Sequence, residues 1–144
     1  MAININEHFR KVLLLSCASY FESQITGTII EFVESNSRDA RICCFLKNKA
    51  LKRQYHTLFN WEANNINAFL GLFGEDFKDK ISKEIKDNSE LSQQAKDFLI
   101  IGNERNKMVH ENFLEYKLDK TFEEIVVLHN SAMKFIEYIK DIFS

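Results

Sequence analysis

Proline is absent from all 144 residues, where ordinary usage of roughly 5% would supply about seven. Proline ends helices by removing a backbone donor and clashing with the preceding turn, so a chain without it can run long helical segments uninterrupted. Four glycines are the only other strong breakers, and 45% apolar with 28% charged residues is enough to fill a core. That composition excludes a turn-rich β sandwich, a Pro-rich linker protein and a disordered tail. At 16.9 kDa the chain fits one domain, residues 1–144.

Nineteen basic against twenty-one acidic residues leave a net charge of −2. The surface as a whole is therefore no nucleic-acid or membrane binder, and any polyanion has to be held locally. Lysine far outnumbers arginine, alongside many Asn, Ile and Phe. This is the bias of an AT-rich genome, and lysine clusters need no functional explanation on sequence alone. Cys17, Cys43 and Cys44 are odd in number and lack the gap of zinc ligands, which implies three reduced, buried thiols and no metal or cofactor. The opening MAININEHFRKVLLLSC has no basic leader, and no segment reaches the roughly 18 apolar residues of a membrane span. A soluble cytoplasmic protein without a membrane partner is expected.

Residues 5–34 read as one helix, opened by an Asn4–Glu7 capping box and closed by Ser35, Asn36 and Ser37. Its apolar face is wide, with one stripe through Phe9, Leu13, Cys17 and Tyr20 and a second through Leu14, Ala18, Phe21, Ile25, Ile29 and Phe32. Asp39 starts a second helix that runs to about Tyr55 and carries the basic tail LKNKALKR. LFNWEANNINAFLGLFG gives a short helix ended by Gly74, with Trp61 as a core or interface anchor. Residues 75–87 form another, through Phe77, Ile81 and Ile85. The next begins near Glu90 and ends near His110, and Thr121 with Glu124 caps a last helix through Ile125, Leu128, Ala132, Ile136 and Ile139. The pattern predicts an all-α, antiparallel up-and-down bundle of four main helices plus one or two short ones.

Gly-rich phosphate loops, GxSxG, HExxH, ExxH pairs and CxxC are all missing. His8, His56 and His129 are dispersed, near helix ends or at the core edge. One segment stands out, FLIIGNERNKMVHENF at residues 98–113. Phe98 to Ile101 are more apolar than one helix face requires, and Gly102 suits a close backbone approach. Asn103, Glu104, Arg105, Asn106 and Lys107 follow immediately, and then Met108, Val109 and His110. Asn106 and His110 share a face, whereas Arg105 and His110 lie about 140° apart in an ideal helix. For both to face one site, the helix has to fray near His110. Arginine supplies a fixed-charge fork for phosphate, and histidine exchanges protons near neutral pH. Together they carry the parts for cleaving RNA at a ribose 2′-hydroxyl, which needs no metal.

Arg105-Asn106-Lys107-Met108-Val109-His110 resembles the Arg-polar-x3-His motif of the HEPN superfamily, at the end of the penultimate core helix. The first-helix segment Ser19-Tyr20-Phe21-Glu22-Ser23, the Phe59-Asn60-Trp61 stretch and Phe73-Gly74 add to the likeness, which is nearest to the RiboL-PSP-HEPN branch or the MAE-type HEPN-like nucleases. This resemblance implies a HEPN-like fold and a metal-independent endoribonuclease built as a homodimer, with two motifs meeting across the interface. It also implies RNA as substrate, a toxin or antiphage-defence role, and an antitoxin or defence-system partner protein. Arg105 would bind the scissile phosphate and His110 would move the proton. Asn106 would orient His110 or the phosphate, Glu22 would either hold Arg105 or stand exposed to solvent, and Lys107 would assist with backbone charge.

Acid–base cleavage works best with two proton-transfer groups, and two copies of His110 would supply them. The first helix and Phe98 to Ile101 are candidates for the interface. The family's toxins that are silenced by AMP addition often carry a tyrosine two residues after the histidine; here that position is Asn112, followed by Phe113, with Tyr116 the nearest tyrosine. The alternative function is a non-catalytic helical module that binds RNA, a nucleotide or a protein partner.

Overall fold

The computed structural model describes residues 5–144, so the expected Asn4–Glu7 cap falls on a position outside the described residues. Helix α1, Ile5–Asn36, spans 32 residues. Lys11, Leu14, Ala18, Phe21, Ile25 and Thr28 form its buried row, at the three-and-four spacing that keeps one side inward. Asp39 caps α2, Ala40–Leu46, by accepting from the Arg41 amide at 2.9 Å. The helix expected to reach Tyr55 stops short, however. It widens into a π-helical stretch at Lys47–Leu51, Arg53 takes φ of 60°, and only a single 3₁₀ turn at Tyr55–Thr57 follows. Between residues 47 and 53 only Leu51 is buried, so no apolar face exists to hold a regular helix against the core.

Helix α3 is likewise shorter than expected, Asn67–Gly71. Residues 58–66 are irregular: Phe59 and Trp61 turn inward while Asn60, Asn64 and Asn65 remain exposed, as suits turn-forming asparagines. Gly74 adopts φ of 107°, open only to glycine at low cost, and leads into α4, Glu75–Lys86. Asn88 caps α5, Ser89–His110, through the Leu91 amide at 3.1 Å. Thr121 and Glu124 form the expected reciprocal box at the start of α6, Phe122–Ile142.

Among the described residues the fold is all-α, though its order is not simply up and down. Phe9 meets Phe122 and Phe32 meets Phe143, so α1 and α6 run in the same direction. Lys11 meets Phe113 and Glu22 meets Arg105, so α5 runs opposite to α1. Phe21, Phe69, Phe98 and Phe135 anchor the core. Phe98, Leu99 and Ile101 are spent within this core, which removes them as interface candidates. On α1, Phe9, Val12 and Tyr20 are among the apolar residues left exposed. Cys17 is buried and its thiol is pushed up by desolvation. Cys43 is only half-buried and Cys44 is exposed, against the expectation of three buried thiols, because α2 buries none of its residues. Buried Asp97 accepts from Gln93 at 2.9 Å and from Ser131 at 2.6 Å, fixing α5 against α6.

Candidate active site

Gly102 brings the irregular segment onto α5. A Cβ there would lie 2.1 Å from Cζ3 of Trp61 and 2.2 Å from its Cε3, so the indole fills the space of the missing side chain. Trp61 donates from Nε1 to the His56 carbonyl at 3.1 Å and packs among Tyr55, Phe59 and Phe98. It is a core anchor that fixes the wall of a cleft.

That cleft, about 400 Å³, lies between Phe59 to Glu62 and the last two turns of α5. Asn103, Asn106, Lys107 and His110 line its helical side. Lys107 and His110 are exposed, and Asn106 is half-buried. Arg105 points elsewhere, with its Nη1 3.4 Å from Glu22 Oε1 on α1. The helix does not fray to unite them. It is regular through His110, and the Glu111 amide still donates to the Lys107 carbonyl at 2.9 Å. The angular gap of about 140° between Arg105 and His110 therefore persists, and Val109, 64% exposed, sits within it. The charges of Glu22 and Arg105 also act on the Tyr55 hydroxyl. Burial pushes that group well above the ordinary tyrosine range, with the Glu22 charge adding to the shift and Arg105 opposing it.

The chain leaving His110 is braced from beneath by groups that the residue pattern alone does not assign to the site. Buried Glu104 accepts a short hydrogen bond from the Tyr116 hydroxyl. Desolvation, followed by that bond, raises the Tyr116 pKa. Lys11, 3% exposed, donates to the Phe113 carbonyl at 2.6 Å, with its ammonium 5.3 Å from the Phe113 ring centre. Glu7 stands 3.8 Å from the same ammonium. Arg10 donates to the Leu118 and Lys120 carbonyls. A signal for Lys11 was present, since it occupies the same helical row as Leu14 and Ala18. Asn112, at the position where the family's modified tyrosine would fall, accepts from the Leu114 amide at 3.0 Å in a local turn.

Among the described residues, no three His, Cys, Asp or Glu side chains are grouped to share a metal ion. No described helix is long and apolar enough to cross a membrane. No curated protein and no solved structure matches the chain. Over residues 3–144, nearly its whole length, the sequence does match the family described as RiboL-PSP-HEPN. With an all-α fold and a polar cluster ending its penultimate helix, the chain belongs to the RiboL-PSP-HEPN family.

Proposed function

We propose that this protein is a metal-independent endoribonuclease that works as a homodimer, in a toxin or antiphage-defence setting with a cognate partner protein. HEPN domains are typically RNases that often dimerise and bind RNA. The observation that carries the proposal is the outward face of α5. Arg105, Val109, Asn106 and His110 follow one another around it, with the apolar Val109 exposed in the middle. Within one chain, Arg105 leans toward α1 while His110 lines the cleft, so a site holding both groups together calls for a second copy.

In such a site His110 takes the proton from a ribose 2′-hydroxyl as its oxygen bonds to phosphorus. The bond from phosphorus to the 5′-oxygen breaks, and the second copy of His110 returns a proton to that oxygen. Arg105, oriented by Glu22, stabilises the charge that builds on the phosphorane. Asn106 orients His110, and Lys107 offsets RNA backbone charge. The test is cleavage of end-labelled RNA in EDTA, which is expected to yield 2′,3′-cyclic phosphate or 3′-phosphate ends and to stop when the ribose at the cleaved bond is 2′-deoxy. Cleavage that persists across that deoxyribose would overturn the mechanism.

The non-catalytic reading rests on one feature, the Glu22–Arg105 ion pair, which already occupies the guanidinium. It predicts RNA binding without cleavage in the same assay.

A further inference from the structure

The segment that walls the His110 cleft also walls a second one, on the other side of Trp61. Residues 59–67 run beside α5, and this second cleft holds about 570 Å³. Its helical side is formed by Ser92, Ala95 and Lys96 of α5 and by the end of α4, including Lys83 and Lys86. The floor is apolar, made by Ile66, Ile85 and Ala95, all buried. Three lysines line this cleft and no carboxylate does. The His110 cleft differs, since Glu62 and Glu111 stand in it with Lys107. Lys83 lies 3.9 Å from Asp87 in a well-exposed pair, which at such exposure contributes little. Lys86 and Lys96 make no ion pair among the described residues.

The two clefts share one face of α5. Lys96, Asn103 and His110 recur every seven residues, a spacing that drifts by only about 20° per step. Lys96 and His110 are separated by about 21 Å along the helix axis at 1.5 Å per residue. That distance spans several nucleotides of an extended single strand. A chain of net charge −2 has little general attraction for RNA, so a local group of lysines opposed only by the well-exposed Asp87 is where a phosphate backbone gains affinity.

We propose that the lysine cleft of Lys83, Lys86 and Lys96 is a backbone subsite for single-stranded RNA whose scissile phosphate lies at His110, the strand following the seam between α5 and residues 59–67. This rests on the ribonuclease reading and deepens it. The side chains contact phosphates and not base edges, so the subsite adds affinity and sets a minimum substrate length without selecting sequence. Asn64 and Asn67 on the opposite wall add neutral donors.

The test separates binding from cleavage by using His110→Ala as the parent. Its affinity for a labelled single-stranded RNA of about twelve nucleotides is measured from 50 to 200 mM salt, alone and with Lys83, Lys86 and Lys96 all changed to Ala. A control changes Lys47, Lys49 and Lys52 to Ala, altering net charge equally away from the seam. The cleft variant is expected to bind about tenfold more weakly at low salt, and its salt slope should fall by about two, at roughly 0.7 for each phosphate that a lysine no longer neutralises. The control should match the parent. Equal affinity and slope in the parent and the cleft variant would overturn the subsite, and so would an equal loss in the control. An added arm with inorganic phosphate decides whether the cleft takes only a free anion. Thermal stabilisation by phosphate that the cleft substitutions remove, with RNA affinity unchanged, would overturn the RNA assignment. Should the wild type fail to cleave RNA while the cleft variant still loses affinity, the nuclease reading falls and the subsite stands.

Discussion

At Gly102 the only side chain is a hydrogen, and the Trp61 indole lies where a methyl would go. Trp61 and Phe98 carry the contact between the irregular segment and α5. Gly102→Ala therefore has to displace a ring that is held by its own hydrogen bond and by three aromatic neighbours, and overpacking of this kind costs about 1–3 kcal/mol. Gly27, in the middle of α1, has nothing within 4 Å of the position a Cβ would take. Gly27→Ala is expected to stabilise by about 0.5–1 kcal/mol through helix propensity. Urea unfolding of the two variants should move the midpoint in opposite directions. A stabilising shift in both would show that helix propensity, and not the Trp61 contact, governs Gly102.

Among the elements, the loop from residue 111 to 121 is the least regular piece next to the site, and its order comes from α1. Lys11 and Arg10 supply donors to the carbonyls of Phe113, Leu118 and Lys120, and Tyr116 reaches back to Glu104. Lys11→Ala leaves the part-buried Phe113 carbonyl without its partner, which costs about 1 kcal/mol, the low end of the range for a buried group. Amide hydrogen exchange of residues 112–120 is expected to accelerate while that of the α5 core around Phe98 does not. Uniform acceleration would make Lys11 a general core residue and not a brace for the loop.

These elements also show what the sequence carried. Apolar rows at helical spacing placed α1, α4, α5 and α6, and the Thr121–Glu124 pair marked a helix start. Gly102 beside a polar cluster pointed to a close approach, and Glu22 does stand 3.4 Å from Arg105 while remaining partly exposed. The break at Leu51 and the short α3 were not legible. Both depend on whether a basic or asparagine-rich stretch finds an apolar face to dock on, which is a tertiary matter. The exposure of Cys44 and the withdrawal of Phe98, Leu99 and Ile101 into the core have the same origin. The lysine cleft was hidden differently: Lys83, Lys86 and Lys96 look like solvated charge until α4, α5 and residues 64–67 enclose one space.

The whole molecule has a pH response that follows from its tyrosines. Burial raises the Tyr55 pKa, and desolvation with carboxylate hydrogen bonds raises those of Tyr116 and Tyr138. An unfolded tyrosine ionises near pH 10, and above that point the unfolded state gives up a proton that the folded state keeps. Fewer protons bound in the unfolded state mean stability that falls as pH rises. The contribution is therefore intact below about pH 10 and is lost progressively above it, by about 1.4 kcal/mol per pH unit for buried Tyr55 and by less for the more exposed Tyr116 and Tyr138. Unfolding in urea at pH 9, 10 and 11 should show this loss, with a shallower fall in Tyr55→Phe. An identical pH dependence in that variant would place the proton linkage elsewhere.

At the same scale, Arg105 and His110 face different ways within one chain and meet other groups, Glu22 for the first and the cleft wall for the second. The proposed ribonuclease activity needs both. The most direct measurement is therefore RNA cleavage in EDTA by the wild type, Arg105→Ala and His110→Ala, each verified as folded by its unfolding midpoint. Loss of a positioned acid–base group such as His110 costs about 10²–10⁴ in rate and loss of a charge-stabilising donor such as Arg105 about 10²–10³, so both variants are predicted to fall at least a hundredfold while remaining folded. Cleavage by both variants at the wild-type rate would contradict the assignment of the site.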